Sequence, residues 1–146
     1  MTKEITKTKK PASLYDKFDT DKKAEADVGI VLDYGEAGKI RIHRAGGANQ
    51  RFKNYTTATL KPFTRQINTG TMDEETSRKL TAQIYAKTII IGWEGVVGRD
   101  GEPLEFNEEN VAKLLLDLPE LFDDIQRAAQ DASLFRSTET EIVEGN

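Results

Sequence analysis

Residues 92–122 read GWEGVVGRDGEPLEFNEENVAKLLLDLPELF, and this stretch sets the architecture. Gly92 lets the chain leave a preceding apolar segment, and Asp100-Gly101 is a turn dipeptide. Asn107 is placed as a helix N-cap. Phe106 before it and Val111 after it have the spacing of a hydrophobic staple, while Glu108 and Glu109 favour the positive end of a helix dipole. Val111, Leu114, Leu115 and Leu118 then form an apolar stripe. Pro119 suits the first turn of a second helix, where its missing N–H costs nothing. Leu121, Phe122, Ile125, Ala128, Ala129 and Ala132 fall on one face of that helix. The two helices carry one continuous apolar strip: part of it closes a core, and the surplus is available to a partner.

Upstream, Leu80, Ile84, Ala86, Thr88 and Ile91 predict a helix running to about residue 91, opened by Thr71 and Glu74 at capping-box spacing. Its β-branched end, Ile89-Ile90-Ile91, also suits extended structure. Pro62 interrupts a helical pattern that begins with Asn49 as N-cap and runs through about Leu60, and residues 67–70 read as a loop. The clearest β signal runs from Gly29 to His43: Val28, Ile30 and Leu32 alternate with Gly29, Val31 and Asp33, a Gly-rich turn follows, and Ile40 and Ile42 alternate with Arg41 and His43. An isolated hairpin is marginal in water, so helices must cover its apolar face. The expected fold is therefore α+β, a small N-terminal antiparallel β-hairpin or sheet packed against a mainly α-helical bundle. Residues 1–13 are expected to be a disordered basic arm, residues 14–136 a single domain, and residues 137–146 a flexible acidic tail.

Composition narrows the functional classes. The chain has no cysteine, which excludes disulfides, thiolate catalysis and cysteine-ligated zinc. No apolar run approaches the roughly 20 residues needed to span a bilayer, and MTKEITKTKK has no apolar h-region behind it, so the cytoplasm is the expected compartment. The net charge of −4 conceals a segregation. Residues 37–72 carry seven Lys/Arg and no acid, whereas residues 99–146 carry thirteen Asp/Glu against four Lys/Arg. Such a division suits two different partners, or one half of a molecule neutralising the other.

No catalytic, metal or cofactor constellation assembles. His43 is the sole histidine, and Asp117, Glu120, Asp123, Asp124 and Asp131 border a helix without histidine support. The Gly-rich turn at residues 44–49 beside arginines has the chemistry to hold a phosphate, but it lacks P-loop and dinucleotide spacing and reads first as a turn and cap. Trp93 fits either a core junction or a partner hot spot. The candidate partner-binding residues are Trp93, Val111, Leu114, Leu115, Leu118, Leu121, Phe122 and Ile125, with Arg41, Arg44, Arg51 and Lys53 as a candidate basic contact surface. Phe52, Tyr55 and Phe63 have faces on which bases stack, although the acidic half disfavours nucleic acid as a partner.

The ordered set VLDYG…IRIHRAGGANQRF, then GW…DGEPLEFNEENVAKLLLDLPELFDDI, then LFR, resembles the tail assembly chaperones of long-tailed, siphovirus-type bacteriophages. It covers residues 27–146. The resemblance implies a non-enzymatic factor of the host cytoplasm that keeps the tape measure protein soluble, recruits tail tube subunits and is absent from the finished virion. Self-association would accompany that role. The resemblance also implies a short form paired with a frameshifted long form that recruits the tube protein. Glu144-Gly145-Asn146 can be encoded as GAG-GGA-AAC, which contains a slippery heptamer, so a second reading frame is expected to continue from there. Two alternatives remain: a head–tail connector or minor tail protein, and a nucleic-acid-binding protein using residues 37–72.

Overall fold

A computed structural model of the chain describes residues 13–136 and 142–144. Two short helices, α1 (Leu14–Phe18) and α2 (Lys22–Ala26), precede strands β1 (Ile30–Asp33) and β2 (Lys39–Ile42). Helices α3 (Gln50–Leu60), α4 (Thr64–Thr69) and α5 (Glu74–Thr88) lead into β3 (Ile90–Glu94). After a long loop come α6 (Glu108–Asp117), α7 (Pro119–Gln130), a 3-10 turn at Ala132–Phe135 and a short strand, β4 (Ile142–Glu144). The sheet order is β3-β2-β1-β4; β1 and β3 run antiparallel to β2, and β4 runs parallel to β1. This is the α+β arrangement expected from the sequence, helices on one face of a small sheet.

The strand alternation explains which face is covered. Ile30 pairs with Ile42 and Leu32 with Ile40, placing all four on one face. Ile42 in turn pairs with Ile90, and Ile40 with Trp93. Ile90 and Trp93 are three residues apart and would point to opposite faces of a regular strand. A register shift at Arg41/Ile42 inserts the extra residue that brings both to the inner face. Against this face α5 contributes Ala82, Tyr85, Ala86 and Ile89, α6 contributes Val111 and Leu115, and α7 contributes Phe122, Ile125 and Ala129, with Phe135 closing the end. Tyr85 bridges the layers, meeting Phe52 and Phe122 edge-on at centroid distances of 6.3 and 5.7 Å.

Three local expectations are corrected. The helix expected to reach residue 91 ends at Thr88, because the β-branched run completes a sheet beside β2, whose edge would otherwise be bare. Gly92 therefore lies within a strand and not at a helix end. That helix is capped by Asp73 and not by Thr71: the Asp73 carboxylate accepts from the Thr76 N–H at 3.1 Å and the Thr76 hydroxyl at 2.8 Å, while the Thr71 hydroxyl pairs with that of Thr69. Between Pro62 and the αL residue Gly70 the chain also forms α4 where a loop was expected. The caps at Asn49 and Asn107 and the position of Pro119 at the start of α7 are as expected. The arm at residues 1–13 and the tail at residues 137–146 lie outside the described residues, apart from Ser13, which caps α1, and the β4 strand.

Candidate partner-docking groove

The α6–α7 strip divides between core and surface. Val111, Leu115 and Phe122 are 1% exposed and Ile125 is fully buried, so these four serve the core and do not form a surface. The helical period explains the split: Val111 and Leu115 lie one turn apart on the inner face, and Leu114 and Leu118 lie one turn apart on the neighbouring face. Leu118 is 42% exposed at the junction of the two helices, where its non-helical backbone both ends α6 and starts α7. Leu114 and Leu121 are half-buried beside it.

Two adjoining depressions, of about 540 and 750 Å³, share Leu118. The first is lined by Val97, Leu104, Leu114 and Leu118, with Arg99, Asp100, Lys113 and Asp117 at its rim. The second is lined by Tyr34, Leu118, Pro119 and Leu121, with Glu120, Asp123, Asp124 and Arg127. Together they form a groove with an apolar floor whose rim holds five acids against three bases. Two of those bases are already engaged, Lys113 with Asp117 at 2.9 Å and Arg127 with Asp124 at 3.4 Å. The Lys113 ammonium, foremost, holds the Asp117 carboxyl below its usual range.

Trp93 positions one wall. It is half-buried against the core, its indole N–H donates to the Leu104 carbonyl at 3.0 Å, and Phe106 meets it edge-on at 5.2 Å. That grip holds the 95–106 loop, in which Val97 bridges Pro103 and the Leu104 N–H donates to Val96 O. Val97 is thereby left 51% exposed over the groove. Tyr34 holds the opposite wall: its hydroxyl donates to Asp124 at 2.6 Å, and burial, then the adjacent carboxylate, push its pKa well above the ordinary phenol range. The sequence reading missed Val97 and Tyr34. A valine beside glycines in a polar turn was the available signal for the first; nothing local marked the second.

The basic candidates do not gather into one surface. Arg44 is engaged by Glu25, a carboxylate only 1% exposed, which also accepts from the Ala48 N–H at 2.9 Å. The Gly-rich turn thus does hold an anion, and that anion is the chain's own side chain. A Cβ at Gly47 would collide with this carboxylate. Arg41 donates to the Val28 carbonyl at 2.9 Å from the outer face of the sheet, and Arg51 and Lys53 are exposed on α3. Phe52 packs on Tyr85, and Tyr55 accepts from Gln83 at 2.8 Å with Lys87 over its ring, so these rings are turned into the protein. His43 Nε2 pairs with the Asp27 carbonyl at 2.8 Å. Among the described residues no group of three or more His, Asp or Glu is placed to hold a metal, and no helix is long and apolar enough to cross a membrane.

The fold is that of a small α+β protein with a shallow apolar groove on its α6–α7 surface. The family model described as YdaY prophage protein matches residues 47–146, more than half of the chain, and the chain belongs to that family. The matched region begins after the β1–β2 hairpin and contains every helix from α3 onward, both groove helices included. No curated protein and no solved structure matches the chain.

Proposed function

We propose that this prophage protein is a non-enzymatic tail assembly chaperone that holds apolar helical segments of a tape measure protein in the α6–α7 groove. The observation that carries the reading is the exposure of Leu118, at the junction of two helices whose other faces already satisfy the core, and of Val97 on the neighbouring loop, over an apolar floor with an acidic rim. A complementary client presents leucine-type side chains at i, i+3 and i+4 with lysines or arginines alongside, the helix-in-groove mode of recognition. Prophage origin supports a role in virion assembly. A chaperone of this kind acts in the host cytoplasm, recruits tail tube subunits through a frameshifted long form, and leaves before the particle is finished.

Co-expression with the tape measure protein of the same prophage tests the reading. The expected result is a raised soluble yield and a copurifying complex, with the chaperone absent from purified particles by mass spectrometry. An insoluble tape measure protein with nothing copurifying contradicts it. Fixed copy number in the particle would favour a connector or minor tail protein instead. In the gene, the expected feature is a slippery run near codons 144–146 followed by an overlapping frame; a sequence without either removes the long form.

A further inference from the structure

Asp124 differs from its neighbouring carboxylates on the groove. Glu120 and Asp123 are exposed on α7, whereas the Asp124 side chain is only 15% exposed. It lies one helical turn beyond Leu121, which lines the same depression. A second element fixes it: the hydroxyl of Tyr34, the residue after β1, donates to Asp124 Oδ2 at 2.6 Å. Burial, foremost, and the adjacent carboxylate push the Tyr34 pKa up, so the hydroxyl keeps the proton that orients Asp124.

The other oxygen, Oδ1, meets Arg127 Nη2 at 3.4 Å. That is long for a charge-assisted hydrogen bond, which ordinarily closes to about 2.7 to 2.9 Å. The Arg127 side chain is 66% exposed, so its charge returns to water at little cost when the contact breaks. The carboxylate has no such freedom. It is mostly buried and tied to Tyr34, and giving up a cation is costly there unless another takes its place.

We propose that Arg127 is a placeholder, and that a lysine or arginine of the client replaces it on Asp124 Oδ1 when an apolar segment fills the groove. The proposal rests on the chaperone reading and deepens it, by naming the carboxylate that selects basic clients. One ion pair is exchanged for another, and Arg127 turns into solvent. Oδ2 stays with Tyr34, so a single oxygen faces the client and a one-point contact suffices. The client's apolar side chain over Leu121 and its cation on Asp124 are then about one helical turn apart, the spacing of Leu121 and Asp124 themselves.

Release of client from the copurified complex tests this on the full chain. Tagged chaperone is immobilised with tape measure protein bound, and the client that remains is followed through timed washes. Arg127→Gln removes the internal competitor and is expected to slow release about two- to fivefold, the worth of an exposed ion pair that no longer has to be broken. Asp124→Asn is expected to speed release and to weaken its dependence on salt. With both substitutions, release is expected to match that of Asp124→Asn alone. Circular dichroism checks that each variant remains folded, and slower release from Arg127→Gln cannot come from damage to the fold. Release that is unchanged or faster in Arg127→Gln overturns the proposal. So does an equal slowing by Arg127→Gln in the Asp124→Asn background, the mark of a general effect of net charge. A wild type that retains no client contradicts the chaperone reading, and this proposal with it. A wild type that retains client, loses it with Leu118→Asp and is indifferent to Arg127→Gln contradicts this proposal alone.

Discussion

Asn49 shows how one side chain can join three parts of the chain. Its carbonyl oxygen accepts from the Phe52 N–H at 3.1 Å, capping α3, and its amide donates to the carbonyls of Arg44 at 2.9 Å and Thr88 at 3.2 Å. Asn49 and Thr88 are 2% and 1% exposed, so the Thr88 carbonyl has no water as a substitute. Asn49→Ala is expected to cost about 2 to 3 kcal/mol in denaturant unfolding, the sum of a lost cap and a stranded carbonyl. Asn49→Asp keeps the cap but removes both donors and is expected to be no better tolerated. Glu25 behaves differently because it is charged. Burial pushes its pKa up, but hydrogen bonds from Arg44, Thr20 and the Ala48 N–H outweigh that and hold it below the usual value. In the pH range just below that usual value the unfolded chain binds the proton more readily than the folded one. Stability is therefore full above about pH 4.5 and is lost as pH falls through the lowered folded value. Glu25→Gln is expected to flatten this acid limb in a thermal-unfolding series, while Glu25→Ala, which strands Arg44, is expected to cost about 3 kcal/mol at neutral pH.

At the scale of elements, α6 and α7 were the most legible part of the chain. Caps, staple spacing and proline position are local signals, and they set the helices almost to the residue. The same pattern could not divide the strip, because Leu114 and Leu115 are alike as residues and differ only in which neighbours the tertiary fold supplies. The end of α5 was harder for a related reason: Ile89, Ile90 and Ile91 suit helix or strand, and the outcome depends on β2, about fifty residues earlier in the chain. Helices α1 and α2 are only five residues each, too short for a hydrophobic period to register, although Ser13 and Asp16 did carry a cap signature. Glu25 was invisible as a buried anion because two of its partners, Arg44 and Ala48, lie about twenty residues away. Substitutions should reproduce the division of the strip. Leu115→Ala and Phe122→Ala, inside the core, are expected to cost about 2 to 5 kcal/mol. Leu118→Asp, at an exposed position, is expected to cost about 1 kcal/mol or less while abolishing capture of a client. Equal destabilisation by Leu115→Ala and Leu118→Asp in urea unfolding would contradict the assignment of Leu118 to the surface.

Across the whole molecule, the segregated charge acquires a structural reading. The acidic half places Asp117, Glu120 and Asp123 beside the groove, whereas part of the basic half is consumed internally, Arg44 by Glu25 and Arg41 by a backbone carbonyl. On the proposed reading, apolar area on the floor would supply the attraction, and the rim would select basic partners and make capture sensitive to salt. Hydrogen exchange on a copurified complex with the tape measure protein, compared with the free protein, tests the central claim most directly. The account predicts slowed exchange at residues 96–104 and 114–121, with α3 unchanged. Protection confined to the basic residues 37–72, with the groove exchanging as in the free protein, would contradict it.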